Sequence, residues 1–235
     1  MKIPPAIAAI APDGQLTPAQ RRRLMIDMCL RRIKPGTGSG YEFLRRRTAM
    51  NPWPDLRPIL QDVPWIIVGA VATRAYMPER ATKDLDILVH YRDGDEVIAQ
   101  LEAAGYRVIS RLAVPGFLLH SPEGIEVDVI FGDYPWLDEA LAQPRQDPAG
   151  YPVLDLPYLV LMKIISSRSQ DWADVSRMLG QASVEELARV RAVVGRYDPD
   201  VVDDLESFIY LGQMEMKTPP PAEDERGSEP PVKRE

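Results

Sequence analysis

Asp84 and Asp86 are the residues of this chain most suited to chemistry. They open the apolar stretch Asp84-Leu85-Asp86-Ile87-Leu88-Val89. In a strand, residues i and i+2 share a face, so the two carboxylates project together while Leu85 and Ile87 turn into packing. Carboxylates so placed repel each other unless a cation lies between them. A third carboxylate, Asp128, sits in Ile125-Glu126-Val127-Asp128-Val129-Ile130-Phe131, an alternation that predicts a half-buried strand. If the two strands are neighbours, Asp128 points at the same spot. Three oxygen ligands, completed by water and substrate phosphates, is how Mg²⁺ is usually held. Such ions activate an attacking hydroxyl and neutralise a leaving pyrophosphate. Neither His90 nor His120 has a metal-ligand partner at useful spacing. His90 shares the parity of Asp84 and either borders the site or simply ends its strand.

The elements around these carboxylates follow from the same patterns. Trp65-Ile66-Ile67-Val68 has strand length and β-branched content. Gly69-Ala70 then opens a helical segment through about Tyr76. A helix N-terminus offers unpaired N–H groups to phosphate, and Gly69 has no Cβ to obstruct the approach. Pro78 and the charged run Arg80-Ala81-Thr82-Lys83 lead into Asp84. Further on, a helix is expected over about Asp95–Ala104, then strands over Tyr106–Leu112, Phe117–His120 and Ile125–Phe131. Four or five short strands with two helices predict an α+β or α/β sheet domain over residues 61–135.

Before it, residues 1–60 read as a helical extension. An irregular arm precedes a helix capped by Thr17 with Pro18 at its first position, running to about Ile33. A second helix is expected over residues 41–48, then a turn at Asn51-Pro52-Trp53-Pro54 and a short helix ending near Asp62. After the sheet, residues 136–214 read as helical. A segment at Trp136–Ala142 and a Pro-rich connection lead to Leu156–Ser167, Asp171–Leu179, Val184–Val194 and Asp200–Leu211, a small bundle. Residues 215–235 are polar and Pro-rich, and predict a disordered tail.

The chain has 235 residues, 45% hydrophobic and 27% charged, which is ordinary for a soluble globular protein. Its single cysteine, Cys29, rules out an internal disulfide and a thiolate zinc cage. No stretch reaches the apolar length of a membrane span, and prolines break the apolar N-terminus, so a cytoplasmic protein is expected. A net charge of −7 argues against general coating of nucleic acid. Arginines nevertheless cluster at Arg21-Arg22-Arg23, Arg31-Arg32 and Arg45-Arg46-Arg47. They are either solvated helix faces or a basic approach surface for polyphosphate or RNA.

Taken together, Val68-Gly69-Ala70 followed by Asp84-Leu85-Asp86-Ile87 resembles the signature of the nucleotidyltransferase fold shared with DNA polymerase β. Arg80-Ala81-Thr82-Lys83-Asp84-Leu85-Asp86 is similar to a string of the bacterial AbiEii-like nucleotidyltransferases, some of which are toxins of toxin–antitoxin systems. Lys163, Arg168, Asp171 and Asp174 match that group's later helical motif. The likeness spans about residues 60–180. It implies a small mixed-sheet nucleotidyltransferase core with flanking helices and a C-terminal helical bundle. It also implies an NTP substrate with Mg²⁺ or Mn²⁺, and transfer of a nucleoside monophosphate to a hydroxyl on RNA (tRNA included), a protein or a small molecule. An antitoxin is a candidate partner. By the resemblance, Asp84, Asp86 and Asp128 hold metal, and Asp128 also serves as base. Gly69 and Ala70 lie against the triphosphate, Arg80, Thr82 and Lys83 contact phosphates, and Lys163 reaches the nucleotide. Asp171 and Asp174 either face solvent or pair with Arg168 or Arg177. Many members carry a serine where this chain has Ala70, its hydroxyl holding the γ-phosphate. The resemblance therefore also admits a non-catalytic nucleotide-binding or interaction module.

Overall fold

The computed structural model describes residues 3–36, 53–78, 82–166 and 168–216. The expected helix over 41–48, Arg80 and the tail at 217–235 lie outside these.

Among the described residues the core is a mixed seven-stranded sheet. Its strands are β1 (Trp65–Ile67), β2 (Asp84–His90), β3 (Arg107–Arg111), β4 (Gly116–His120), β5 (Glu126–Gly132), β6 (Arg145–Gln146) and β7 (Pro152–Val153), in the order β3-β4-β5-β2-β1-β7-β6. β1 pairs antiparallel with β2, whereas β2 and β5 run parallel. Parallel neighbours need a long crossover. Here it consists of the helix Gly94–Ala103 and the β3–β4 hairpin. Alternation decides which residues are interior: Leu85, Ile87, Val127 and Val129 are buried to 1% exposure or less, with the aspartates between them only half-buried.

The helices are α1 (Pro5–Ala8), α2 (Pro18–Leu30), α3 (Gly69–Ala72), α4 (Gly94–Ala103), α5 (Leu137–Ala142), α6 (Leu156–Ile165), α7 (Ser169–Gln181), α8 (Val184–Tyr197) and α9 (Val202–Met216). Thr17 caps α2 through a reciprocal box with Gln20, as its sequence predicts, and Ser183 caps α8 in the same way with Glu186. α6 is almost wholly apolar and buried, and forms the spine of the C-terminal bundle. α7 and α9 cross closely. A Cβ on Gly212 would lie 1.9 Å from the Ser176 carbonyl oxygen, so glycine is what permits that approach. α2 docks on this bundle through Arg22, which is buried, donates to Asp204 at 2.6 Å and reaches the Ile164 carbonyl at 3.3 Å.

The chain is thus α+β, with flanking helices and a C-terminal helical bundle, as expected. Several details differ. The expected helix before Asp62 is a set of turns, although Leu56 and Leu60 from it are in the core. The Pro-rich connection after α5 supplies β6 and β7, and β7 pairs parallel to β1 at Ile67–Val153. α9 continues to Met216, past the expected start of the tail at residue 215. Among the described residues no helix is long and apolar enough to cross a membrane.

Candidate active site

The register of the parallel pair builds the site. Asp86 lies opposite Asp128, and Asp84 opposite Glu126. One carboxylate oxygen from each of Asp84, Asp86 and Asp128 falls within 4.8 Å of the other two. The strand parity read from the sequence therefore holds, and the two strands are neighbours. Such crowding has an electrostatic cost. Burial first, then the charges of Asp84 and Asp128, push the Asp86 carboxyl up to about 6. Asp128 is also raised, by burial and then by Asp84 and Glu126. An all-oxygen set of three mutually repelling carboxylates fits a hard divalent cation.

Gly69 has a protein neighbour that its sequence context does not reveal. Its φ is +64°, the left-handed region that favours glycine, and a Cβ there would lie 1.9 Å from Asp86 Oδ2. The group pressed against Gly69 is the Asp86 carboxylate. The Val68 amide adds a 2.9 Å bond to the Asp86 carbonyl, fixing the turn to β2. The helical segment after Gly69 is short: α3 ends at Ala72 and a 3₁₀ turn carries on to Ala75. Ala70 is 5% exposed. The Thr82 hydroxyl donates to Asp84, so it orients a carboxylate, and Lys83 is exposed.

Lys163 is neither a solvated lysine nor a free one. It is 4% exposed, and its Nζ lies 2.7 Å from Asp171 Oδ1 and 3.0 Å from Asp174 Oδ2. Asp171 also accepts from Ser166 Oγ at 2.8 Å and Arg168 Nε at 2.7 Å. Burial alone would raise the Asp171 carboxyl. The Lys163 charge and hydrogen bond, then Ser166 and Arg168, bring it below the ordinary value. The positive charges of Arg168 and Lys163 in turn pull Asp86 downward against its other influences. Ser166 was not among the expected site residues; its only sequence signal is its place at the end of α6, just before the basic residue. Asp171 and Asp174 are buried, so the solvent-facing alternative is excluded for both. His90 ends β2, with Nε2 3.7 Å from Asp138, and stands six residues along the strand from Asp84.

No family model and no curated protein matches the chain. Several solved structures match the chain at low identity and low TM-score. One is the antibiotic-resistance factor ANT(2'')-Ia in solution, at 17% identity and TM-score 0.36, covering 65% of this chain and 83% of that one. A crystal structure of the same factor with adenylyl-2''-tobramycin gives 18% identity and TM-score 0.34, over 64% of this chain and 88% of that one. Terminal uridylyl transferase 4 from Trypanosoma brucei with bound UTP gives 12% identity and TM-score 0.26, over 85% and 71%.

Proposed function

We propose that this chain is a Mg²⁺- or Mn²⁺-dependent nucleotidyltransferase, related to the AbiEii-like group, that moves a nucleoside monophosphate from an NTP to a hydroxyl acceptor. The observation that carries the reading is the convergence of Asp84, Asp86 and Asp128 within 4.8 Å. In this reading these three residues hold the cation. When bound, the cation neutralises the triphosphate and makes the acceptor hydroxyl more acidic. The acceptor oxygen bonds to the α-phosphorus as the bond to pyrophosphate breaks. Asp128 takes the hydroxyl proton. Thr82 keeps Asp84 oriented, and Gly69 makes room for Asp86. Ala70 and Lys83 belong to the triphosphate side in this reading. Lys163 acts from the helical half. The acceptor is an RNA such as tRNA, a protein or a small molecule, and a toxin role with an antitoxin partner is part of the same reading.

The test is incubation with each α-labelled NTP, Mg²⁺ and total RNA or protein, following label transfer and pyrophosphate. Wild type transfers label; Asp86→Asn does not. Transfer at the wild-type rate by that variant sinks the assignment. Ala70 favours a second reading, a non-catalytic nucleotide-binding or interaction module, because it brings no hydroxyl to the γ-phosphate. Calorimetric NTP binding without pyrophosphate release over hours would select that reading.

A further inference from the structure

We propose that Leu118, His120 and Arg107, on the open face of the sheet beside the carboxylates, form the acceptor platform, and that the acceptor is an extended protein segment carrying a hydroxyl side chain and an acidic residue four positions from it. The proposal rests on the nucleotidyltransferase reading and names the class of its acceptor.

Strand register extends the carboxylate cluster into two rows. Residues directly opposite each other on paired strands share a face. Asp84 lies opposite Glu126, Glu126 opposite His120, and His120 opposite Arg107 at the sheet edge. Asp86 lies opposite Asp128, Asp128 opposite Leu118, and Leu118 opposite Ser110. One face of β3, β4 and β5 is therefore continuous with the three carboxylates. That face is open: Leu118 and His120 are half-buried, and Glu126, Arg107 and Ser110 are exposed, whereas Leu119, Val127 and Leu85 on the other face are buried. On the far side of Asp86 the Gly69 turn lies against its carboxylate, so β1 offers no equivalent path. An acceptor that gives its proton to Asp128 thus comes over β5 and β4. A sheet face is open rather than concave, which suits a chain laid across it better than an enclosed small molecule. No Phe, Tyr or Trp stands in either row to stack a base, and Arg107 is their only arginine, which argues against RNA. The charges instead run from acidic at the carboxylates to basic at the edge. Asp128 and Arg107 are two strands and two residues apart, about 12 Å between Cα positions. Four residues of extended chain span about 13 Å and place side chains i, i+2 and i+4 on one side. A segment laid across the sheet with its hydroxyl at Asp128 therefore presents residue i+2 to Leu118 and His120, and residue i+4 to Arg107. Leu118 suits an apolar side chain at i+2, and Arg107 a carboxylate at i+4. The hydroxyl oxygen bonds to the α-phosphorus as pyrophosphate leaves, and its proton goes to Asp128. The bland alternative is a water-facing sheet side whose edge arginine guards against aggregation. It predicts no acceptor preference that depends on Arg107.

The experiment incubates the full chain with Mg²⁺, each α-labelled NTP and the peptide Ala-Ala-Ser-Ala-Leu-Ala-Glu-Ala-Ala, with Thr and Tyr versions of it, beside total RNA. Wild type is expected to label the peptide. Replacing the peptide's glutamate with lysine is expected to lower kcat/KM for the peptide at least tenfold, with KM for NTP unmoved. Arg107→Glu is expected to invert that preference, so that the lysine peptide becomes the better acceptor. Leu118→Ala is expected to raise KM for the peptide and not for NTP. Arg111→Glu, at the other end of β3 with its side chain 5.2 Å from the Phe117 ring on the opposite face, is expected to keep the wild-type preference. If the glutamate and lysine peptides are labelled alike, if Arg107→Glu keeps the wild-type preference, or if NTP is turned over and RNA or nothing is labelled in place of peptide, the proposal is wrong while the functional reading stands. If wild type labels nothing and releases no pyrophosphate, the functional reading falls and this proposal with it.

Discussion

Replacing Asp86 with asparagine should stabilise the metal-free protein while abolishing transfer. The carboxyl of Asp86 is pushed from 3.8 to about 6 by burial and by its two acidic neighbours. Each tenfold in acidity is about 1.4 kcal/mol, so at neutral pH the ionised form costs the native state about 2 to 3 kcal/mol. Asparagine has the same shape, fits against Gly69 as the aspartate does, and carries no charge. For a chain of this size the gain corresponds to a rise in Tm of about 4–12 °C. The sign sets the pH window. The folded value lies above the unfolded one, so the native state binds more protons between pH 4 and 6. Wild-type stability therefore falls as pH rises through that window, and Asp86→Asn loses this share of the fall. Urea unfolding in EDTA at pH 4 and pH 7.5 measures both curves. Adding Mg²⁺ should then stabilise wild type and leave the variant nearly unmoved. If Asp86→Asn is no more stable than wild type at pH 7.5 in EDTA, the repulsive carboxylate cluster is not what the electrostatics describe.

Gly69→Ala should abolish pyrophosphate release, because its Cβ would sit 1.9 Å from Asp86 Oδ2 and displace that carboxylate; unchanged release with bound Mg²⁺ would contradict this. Lys163→Met should cost about 3 to 5 kcal/mol in urea unfolding, since it leaves Asp171 and Asp174 buried without their common cation. Asp171 titrates below the ordinary carboxylate value, so its stabilising share is present above pH 4 and is lost on further acidification; Lys163→Met should flatten that acid limb. Gly212→Ala should destabilise by about 1 to 3 kcal/mol, because the new methyl meets the Ser176 carbonyl at the α7–α9 crossing. Far-UV circular dichroism should show native helix content retained below its lowered Tm.

The part of the site that period-2 reasoning can reach was legible. Asp86 and Asp128 each sit between buried branched residues, and alternation puts Asp84 on the same face of its strand as Asp86. Pairing of β2 with β5 then needed only adjacency, and the structure places Asp86 opposite Asp128. Strands β6 and β7 were not legible, because two residues carry no period; their order comes from the free edge of β1. Gly69 was legible as a special position, but its contact with Asp86 on the neighbouring strand was not, since no local pattern brings those two residues together. Lys163 is the instructive case. Helical spacing cannot tell an exposed lysine from a buried one. Its surroundings can: Leu156-Pro157-Tyr158-Leu159-Val160-Leu161-Met162-Lys163-Ile164-Ile165 is apolar at every other position. A lysine in such a helix has no polar face to occupy, and burying its charge requires partners. Asp171 and Asp174, three apart on the next helix, are the nearest following carboxylates in sequence. The apolar run is thus the signal for a lysine held inside the fold, and Asp171 and Asp174 are the partners that hold it.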